Sequence, residues 1–147
     1  MTKQRICIVG DGLSGLMTAV VLAKEPGTEV NLIAKKGTKN KDKRTTAISD
    51  TNYKFIKQNI TNLGKMLFWP SKRIELFYET YKERINFLNL NEANSNLMYV
   101  FENDKVKRLL LKEIIKNKIK IIKKDVKNLN ELKNYDLTIL CIGGQSK

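Results

Sequence analysis

The chain of 147 residues contains no histidine. That absence excludes a serine–histidine–aspartate triad, a histidine general base and any histidine-ligated metal within it. Cysteine is scarce. Cys7 and Cys141 lie far apart, each inside an apolar run, and are expected to be reduced, buried small side chains. Only two prolines and one tryptophan occur. No apolar run is long enough to span a bilayer, because the longest, residues 13–23, is interrupted by Ser14, Gly15 and Thr18. The opening Met-Thr-Lys-Gln-Arg meets only a brief apolar run with no small-residue cleavage site. A cytoplasmic setting is therefore expected rather than secretion.

Acidic residues are also few: 15 Asp+Glu stand against 28 Lys+Arg, a formal charge of +13. The excess is lysine, 23 against 5 arginines, and Lys, Asn and Ile together make 53 of the 147 residues. All three have A/T-rich codons, so compositional drift of a genome accounts for much of the charge. Nucleic-acid binding is the functional alternative, and it calls for basic residues interleaved with aromatics or set on a recognition helix. The two basic clusters, residues 35–44 and 105–127, lack that interleaving and read as solvated surface. No nucleic-acid partner is expected. At 41% apolar residues the chain has enough material for one core.

Residues 4–9 are short, β-branched and closed by Gly10, which predicts a buried strand. Leu13, Leu16, Met17, Val20 and Val21 then fall on one helical face, and Pro26-Gly27 stops the helix. Residues 28–34 predict a second strand. Strand, glycine turn, helix and strand in about 30 residues make a βαβ unit with parallel strands. A charged loop follows to Arg44. Ser49 is expected to cap a helix carrying Tyr53, Ile56, Ile60 and Leu63 inward. Residues 64–71 read as a connection. Strand-like runs at 73–79, 84–90 and 97–101 suggest an antiparallel meander, an insertion spanning 71–101. Residues 104–117 return to helical periodicity, and 119–122 and 136–142 are two further apolar strands. The expected architecture is α/β, a Rossmann-like parallel sheet with a short antiparallel β insertion, in one domain over 1–147.

Gly10-Asp11-Gly12-Leu13-Ser14-Gly15 is G-x-G-x-x-G between a predicted strand and a predicted helix. Gly10 permits the tight turn, Gly12 lets backbone approach a pyrophosphate, and Gly15 lets the helix pack closely on the strand. The helix N-terminus offers unpaired N–H groups and partial positive charge, with Leu13 and Ser14 in its first turn. A tight turn with no ligand is the alternative. The acid that usually ends the second strand of a dinucleotide fold is missing: Ala34 stands there, followed by Lys35 and Lys36.

With these motifs in view, the chain resembles the flavin-dependent aromatic-ring hydroxylases, and within them the polyprenylphenol hydroxylases of ubiquinone biosynthesis. The resemblance runs over nearly the whole chain. Val9-Gly10-Asp11-Gly12-Leu13-Ser14-Gly15 matches the family's turn. Asp42-Lys43-Arg44-Thr45-Thr46-Ala47-Ile48-Ser49 looks like its more specific D-x-R-x-x-A-L-S segment. Tyr99-Val100-Phe101-Glu102-Asn103 resembles its run into a leucine-rich helix. Residues 136–146 look like its D-L-V-(V/I)-G-A-D-G-A-R-S strand end, with Ile142 at the Asp and Gln145 at the Arg.

The resemblance implies an FAD cofactor, held by Gly10, Gly12, Leu13, Ser14, Gly15 and Gly143, with Arg44 contacting it and Asn103 near the flavin. It implies NAD(P)H as co-substrate and an aromatic, polyprenylphenol-like substrate, with no catalytic acid or base assigned. Phe77, Tyr78, Phe87, Leu88 and Tyr99 are candidates for a substrate wall, or ordinary core residues of a sheet. A lipid substrate and a lysine-rich surface imply peripheral contact with the inner membrane. Family members are much longer, so the chain corresponds to an N-terminal part: a fragment, a truncated gene product or one piece of a split protein that lacks the family's C-terminal half. The alternatives are a degenerate, non-catalytic nucleotide-binding module and a basic nucleic-acid-binding protein.

Overall fold

The computed structural model describes residues 3–36, 42–61, 63, 64 and 67–143. Its centre is a four-stranded parallel sheet. β1 (Gln4–Val9) pairs with β2 (Thr28–Ala34) from Gln4 opposite Thr28 to Val9 opposite Ile33. α1 (Leu13–Leu22) joins them. Two later strands flank this unit, β8 (Lys120–Lys123) beside β2 and β9 (Leu137–Leu140) beside β1, giving the order β8-β2-β1-β9. The expected boundaries of β1 and β2 hold to the residue. The helix between them stops where expected, and Thr28 Oγ1 closes its end by donating to the Leu22 and Glu25 carbonyls at 2.7 and 2.9 Å.

β1 is apolar on both sides because both faces of the sheet are covered. On one face Ile6, Ile8 and Leu32 meet Leu16, Ala19 and Val20 of α1. Val106, Leu110 and Ile114 of α3 (Asn103–Lys116) complete that core, so the apolar stripe of α3 faces in and its lysines face out. On the other face Cys7, Val9 and Ile33 lie under Leu132, in a short 3-10 turn, with Ile122, Val126 and Tyr135 around them. Cys7 and Cys141 are both free, and burial pushes the Cys7 thiol up from its ordinary pKa.

A second, antiparallel sheet is ordered β3-β7-β4, with β3 (Thr45–Ser49), β7 (Met98–Glu102) and β4 (Trp69–Ser71). Neither β3 nor β4 stands out in the sequence. β4 is three residues long, and Pro70 is tolerated in it because β4 pairs only with β7 and lies at an edge. Ser49 caps α2 (Asp50–Asn59) as expected, accepting from the Asn52 N–H at 3.3 Å. The helix ends earlier than its periodicity suggests. Ile60 leaves helical geometry yet is buried, and Leu63 packs on the same core, so these two continue the apolar pattern as connection rather than helix. Tyr53 of α2 stacks on Tyr99 of β7 at 3.8 Å between ring centroids, and Phe68 lies 5.0 Å from Phe101.

One expectation needs correction. The three strand-like runs do not form one meander. β5 (Arg73–Glu79) and β6 (Arg84–Asn91) make a separate two-stranded ribbon, while β7 leaves them to pair with β3 and β4. The reason is burial. β7 gives Phe101 and Tyr99 to the aromatic core, whereas no ribbon side chain joins either core cluster. Among the described residues no helix is long and apolar enough to cross a membrane.

Candidate functional site

β1 delivers the glycine turn to the carboxyl edge of the sheet. Gly10 has φ +117°, a conformation that side chains disfavour, and a Cβ there would run into the carbonyl of Cys141. A Cβ on Gly15 would run into the carbonyl of Gly10. The protein's own packing therefore requires both glycines. Gly12 differs. Its backbone is extended, at φ −72° and ψ 177°, and a Cβ there would meet nothing within 4 Å. Nothing in the described protein requires glycine at position 12. The open space beside it is what an incoming ligand would use.

Gly12 is also the N-cap of α1 and offers no side chain to cap it. The first intrahelical bond runs from the Leu16 N–H to the Gly12 carbonyl at 3.0 Å. The N–H groups of the first turn, which includes Leu13 and Ser14, are the donors a helix leaves without intrahelical partners. No acidic residue stands in that turn. Together with the helix dipole this favours an anion. The turn opens where β1 is flanked by β2 on one side and β9 on the other, the crevice at which open α/β sheets take ligands. Gly143, at φ +59°, follows β9 and stands two residues past the Cys141 carbonyl that abuts Gly10.

Asp11 puts a carboxylate inside the turn. Lys107 of α3 pairs with it, Nζ to Oδ2 at 3.4 Å, so the negative charge is partly neutralised from the side of α3. One helical turn back along α3, about 5.4 Å, sits Asn103. It is buried, and its amide organises a knot of hydrogen bonds. Asn103 Nδ2 donates to Asp42 Oδ2 at 3.1 Å, Thr46 Oγ1 donates to Asn103 Oδ1 at 2.6 Å, and the Asn103 N–H donates to the Arg44 carbonyl at 3.0 Å. The Arg44 guanidinium grips the same carboxylate in a fork, Nε at 2.8 Å and Nη2 at 2.7 Å. The hydrogen bonds from Arg44 and Asn103 hold the Asp42 carboxyl well below the usual carboxylate range. The Arg44 side chain is 81% exposed, so it is anchored on one side and open on the other.

The sequence-expected residues thus fall into two groups that α3 links. Gly10, Gly12, Leu13, Ser14, Gly15 and Gly143 meet at the ends of β1 and β9. Arg44 and Asn103 meet at the start of α3. Asp42, Thr46 and Lys107 were not singled out as functional. Asp42 and Thr46 belong to the same segment as Arg44, but their bonds to Asn103 span 61 and 57 residues and the Lys107–Asp11 pair spans 96, so the sequence alone does not show them. The substrate wall is brought together only in part, with Tyr78 and Leu88 on one face of the β5–β6 ribbon. Phe77 and Tyr78 are adjacent on β5 and point to opposite faces, and Tyr99 is stacked on Tyr53.

These residues fit the pyrophosphate of a dinucleotide better than its ribose. Ala34, at the end of β2, is buried and its carbonyl accepts from the Lys124 N–H at 3.1 Å. Lys35 and Lys36 after it are exposed, so the described end of β2 carries no carboxylate. Ile142 is half exposed beside Gly143. Gln145 lies outside the described residues.

No protein-family model matches this chain. No curated protein matches its sequence. Solved structures do resemble it. A variant of PqsL from P. aeruginosa matches with a TM-score of 0.66 at 12% identity, over 86% of this chain and 36% of that one. The p-nitrophenol 4-monooxygenase PnpA from Pseudomonas putida DLL-E4 gives 0.63 at 14% identity, over 87% and 33%. CtdE, solved in complex with FAD, gives 0.55 at 19% identity, over 82% and 30%. At such identities the likeness establishes the fold. The chain has the mixed α/β architecture, with a parallel sheet, of the Rossmann-like FAD-binding fold of flavin monooxygenases. It spans about a third of the length of those proteins.

Proposed function

We propose that this chain is the FAD-binding part of a flavin-dependent aromatic-ring monooxygenase. The observation that carries the proposal is the contrast within the glycine turn: Gly10 and Gly15 are required by the fold, and Gly12 opens onto free space at an uncapped helix N-terminus. In this reading the first-turn N–H groups of α1 receive the pyrophosphate, with Gly12 giving it access. Lys107 screens Asp11 from that charge. Asp42 and Asn103 hold the backbone of Arg44 and orient its guanidinium, whose exposed side faces the cofactor. Bound FAD would supply the redox chemistry with dioxygen. NAD(P)H as reductant, a polyprenylphenol-like substrate and peripheral membrane contact through the lysine face of α3 are carried by the sequence resemblance. Ubiquinone biosynthesis rests on the same ground.

Ala34 favours a second reading, a nucleotide-binding module that has lost catalysis. A ribose hydroxyl left without its acceptor costs about 1–3 kcal/mol, which weakens a dinucleotide site without abolishing it. An FAD fluorescence titration separates the two. Saturable binding, weakened by Arg44→Ala far more than by Lys35→Ala, is the expected result. A folded chain with no flavin affinity would leave the second reading standing.

A further inference from the structure

In a dinucleotide fold the adenosine ribose lies at the carboxyl end of the second strand. There an acid accepts from its hydroxyls, or a basic residue accommodates a phosphate carried on it. Here β2 ends in buried Ala34, which does neither. What surrounds Ala34 is basic. Its register partner on the neighbouring parallel strand is Lys123, the last residue of β8. Lys35 and Lys36 follow it directly. Two strands far apart in sequence therefore bring lysines to one end of the sheet.

Alternation gives the side they share. Ile33 and Ile122 are paired, and both pack with Cys7 on the side of the 3-10 turn. Ala34 and Lys123, one residue further on, fall on the opposite side, that of Leu32 and α1. The N-terminus of α1 is the end of the glycine turn. Two strand spacings, about 10 Å, separate β1 from β8. The charge at this end is unbalanced. Lysines nearer the turn are paired, Lys107 with Asp11 and Lys105 with Glu102. Lys124 is paired as well, with Glu131 at 2.6 Å. Lys35, Lys36 and Lys123 are exposed and have no ion-pair partner among the described residues. Asp125 is a single exposed acid beside them.

A phosphate monoester carries about two negative charges at neutral pH, and lysine takes a phosphate as a point charge. We infer that the ribose end of this site takes a phosphate: the glycine turn binds a dinucleotide phosphorylated on its adenosine ribose in preference to the unphosphorylated one, and in competition with FAD. The inference rests on the reading above that the turn receives a pyrophosphate.

NADP+ and NAD+ differ only in that phosphate, so calorimetric titration of this chain with each is the test. NADP+ should bind at least about tenfold tighter, a difference of about 1.4 kcal/mol. The double variant Lys35→Ala, Lys123→Ala should bring the two affinities together. Both positions are exposed, so the fold should be kept, as circular dichroism would show. Lys82→Ala, in the exposed turn of the ribbon, should leave the preference intact. Equal affinities for NADP+ and NAD+ would overturn the inference. So would a preference that survives the double variant, or one that Lys82→Ala lowers as much. A parallel FAD titration separates this inference from the proposed function. FAD binding with no preference for NADP+ overturns the inference alone. A preference for NADP+ with no FAD binding supports the inference and overturns the flavin reading. A folded chain that binds none of the three overturns both.

Discussion

The sheet around β1 and the β5–β6 ribbon are built from similar residues and meet opposite fates. Both are rich in apolar side chains; β1 and β2 pair without a break, and β5 and β6 pair on either side of one bulge. In the sheet, α1 and α3 cover one face and the 3-10 turn covers the other, so Cys7 and Ile8 are fully buried. In the ribbon, every residue of β6 is exposed. The difference lies in what packs on the strand rather than in the strand itself. Stability is concentrated where the cover is present. The glycine turn belongs to the covered region, and that is why two of its glycines are fixed by packing and the third is left for a ligand.

Substitutions can sharpen that contrast. The largest effect is expected from Gly15→Ala, because its Cβ collides with the backbone carbonyl of Gly10, the residue after β1. A loss of more than about 4 kcal/mol places it among exceptional substitutions, visible as loss of the cooperative urea transition. Next comes a matched pair. Leu110→Ala empties a fully buried site on α3 and should cost about 2–5 kcal/mol. Leu76→Ala, on the uncovered ribbon, should move the same transition by less than about 0.5 kcal/mol. Equal costs would break the comparison.

The smallest effect concerns the hydrogen-bonded knot at the start of α3. Asp42 is held below its ordinary range by Arg44 and Asn103. A depressed carboxylate stabilises the folded state above its unfolded pKa of about 3.9, and that contribution is lost as pH falls through the folded value. The stability gap between wild type and Asp42→Asn should be full at neutral pH and shrink below about pH 4. A gap that stays constant down to strongly acidic pH would show that Asp42 acts through something other than its charge.

The sequence makes the covered region legible because its signals are local. The β-branched run of β1, the helical spacing from Leu13 to Val21 and the glycine turn all lie within one βαβ unit. The strands of the ribbon are also legible, with β5 matching at both ends and β6 longer by Asn91. Their exposure is not, because alternation shows that a face is apolar and says nothing about what lies over it. The departure of β7 from the ribbon follows from its aromatic partners Tyr53 and Phe68, which come from elements before the ribbon. Half of the site was hidden for the same reason. Arg44 is visible in its own segment, but the carboxylate that orients it is shared with Asn103, 61 residues further along. The Lys107–Asp11 pair spans 96 residues, so only the folded packing of α3 on α1 reveals it.

Gly12→Val tests the central claim most directly, because a Cβ at Gly12 meets nothing within 4 Å. Its thermal transition should match the wild type within about 1 kcal/mol, measured by circular dichroism. In the same preparations, flavin fluorescence should show saturable FAD binding by the wild type and none by Gly12→Val. A Gly12→Val chain that binds FAD as tightly as the wild type would contradict the account, since the space beside Gly12 would then not be the cofactor's.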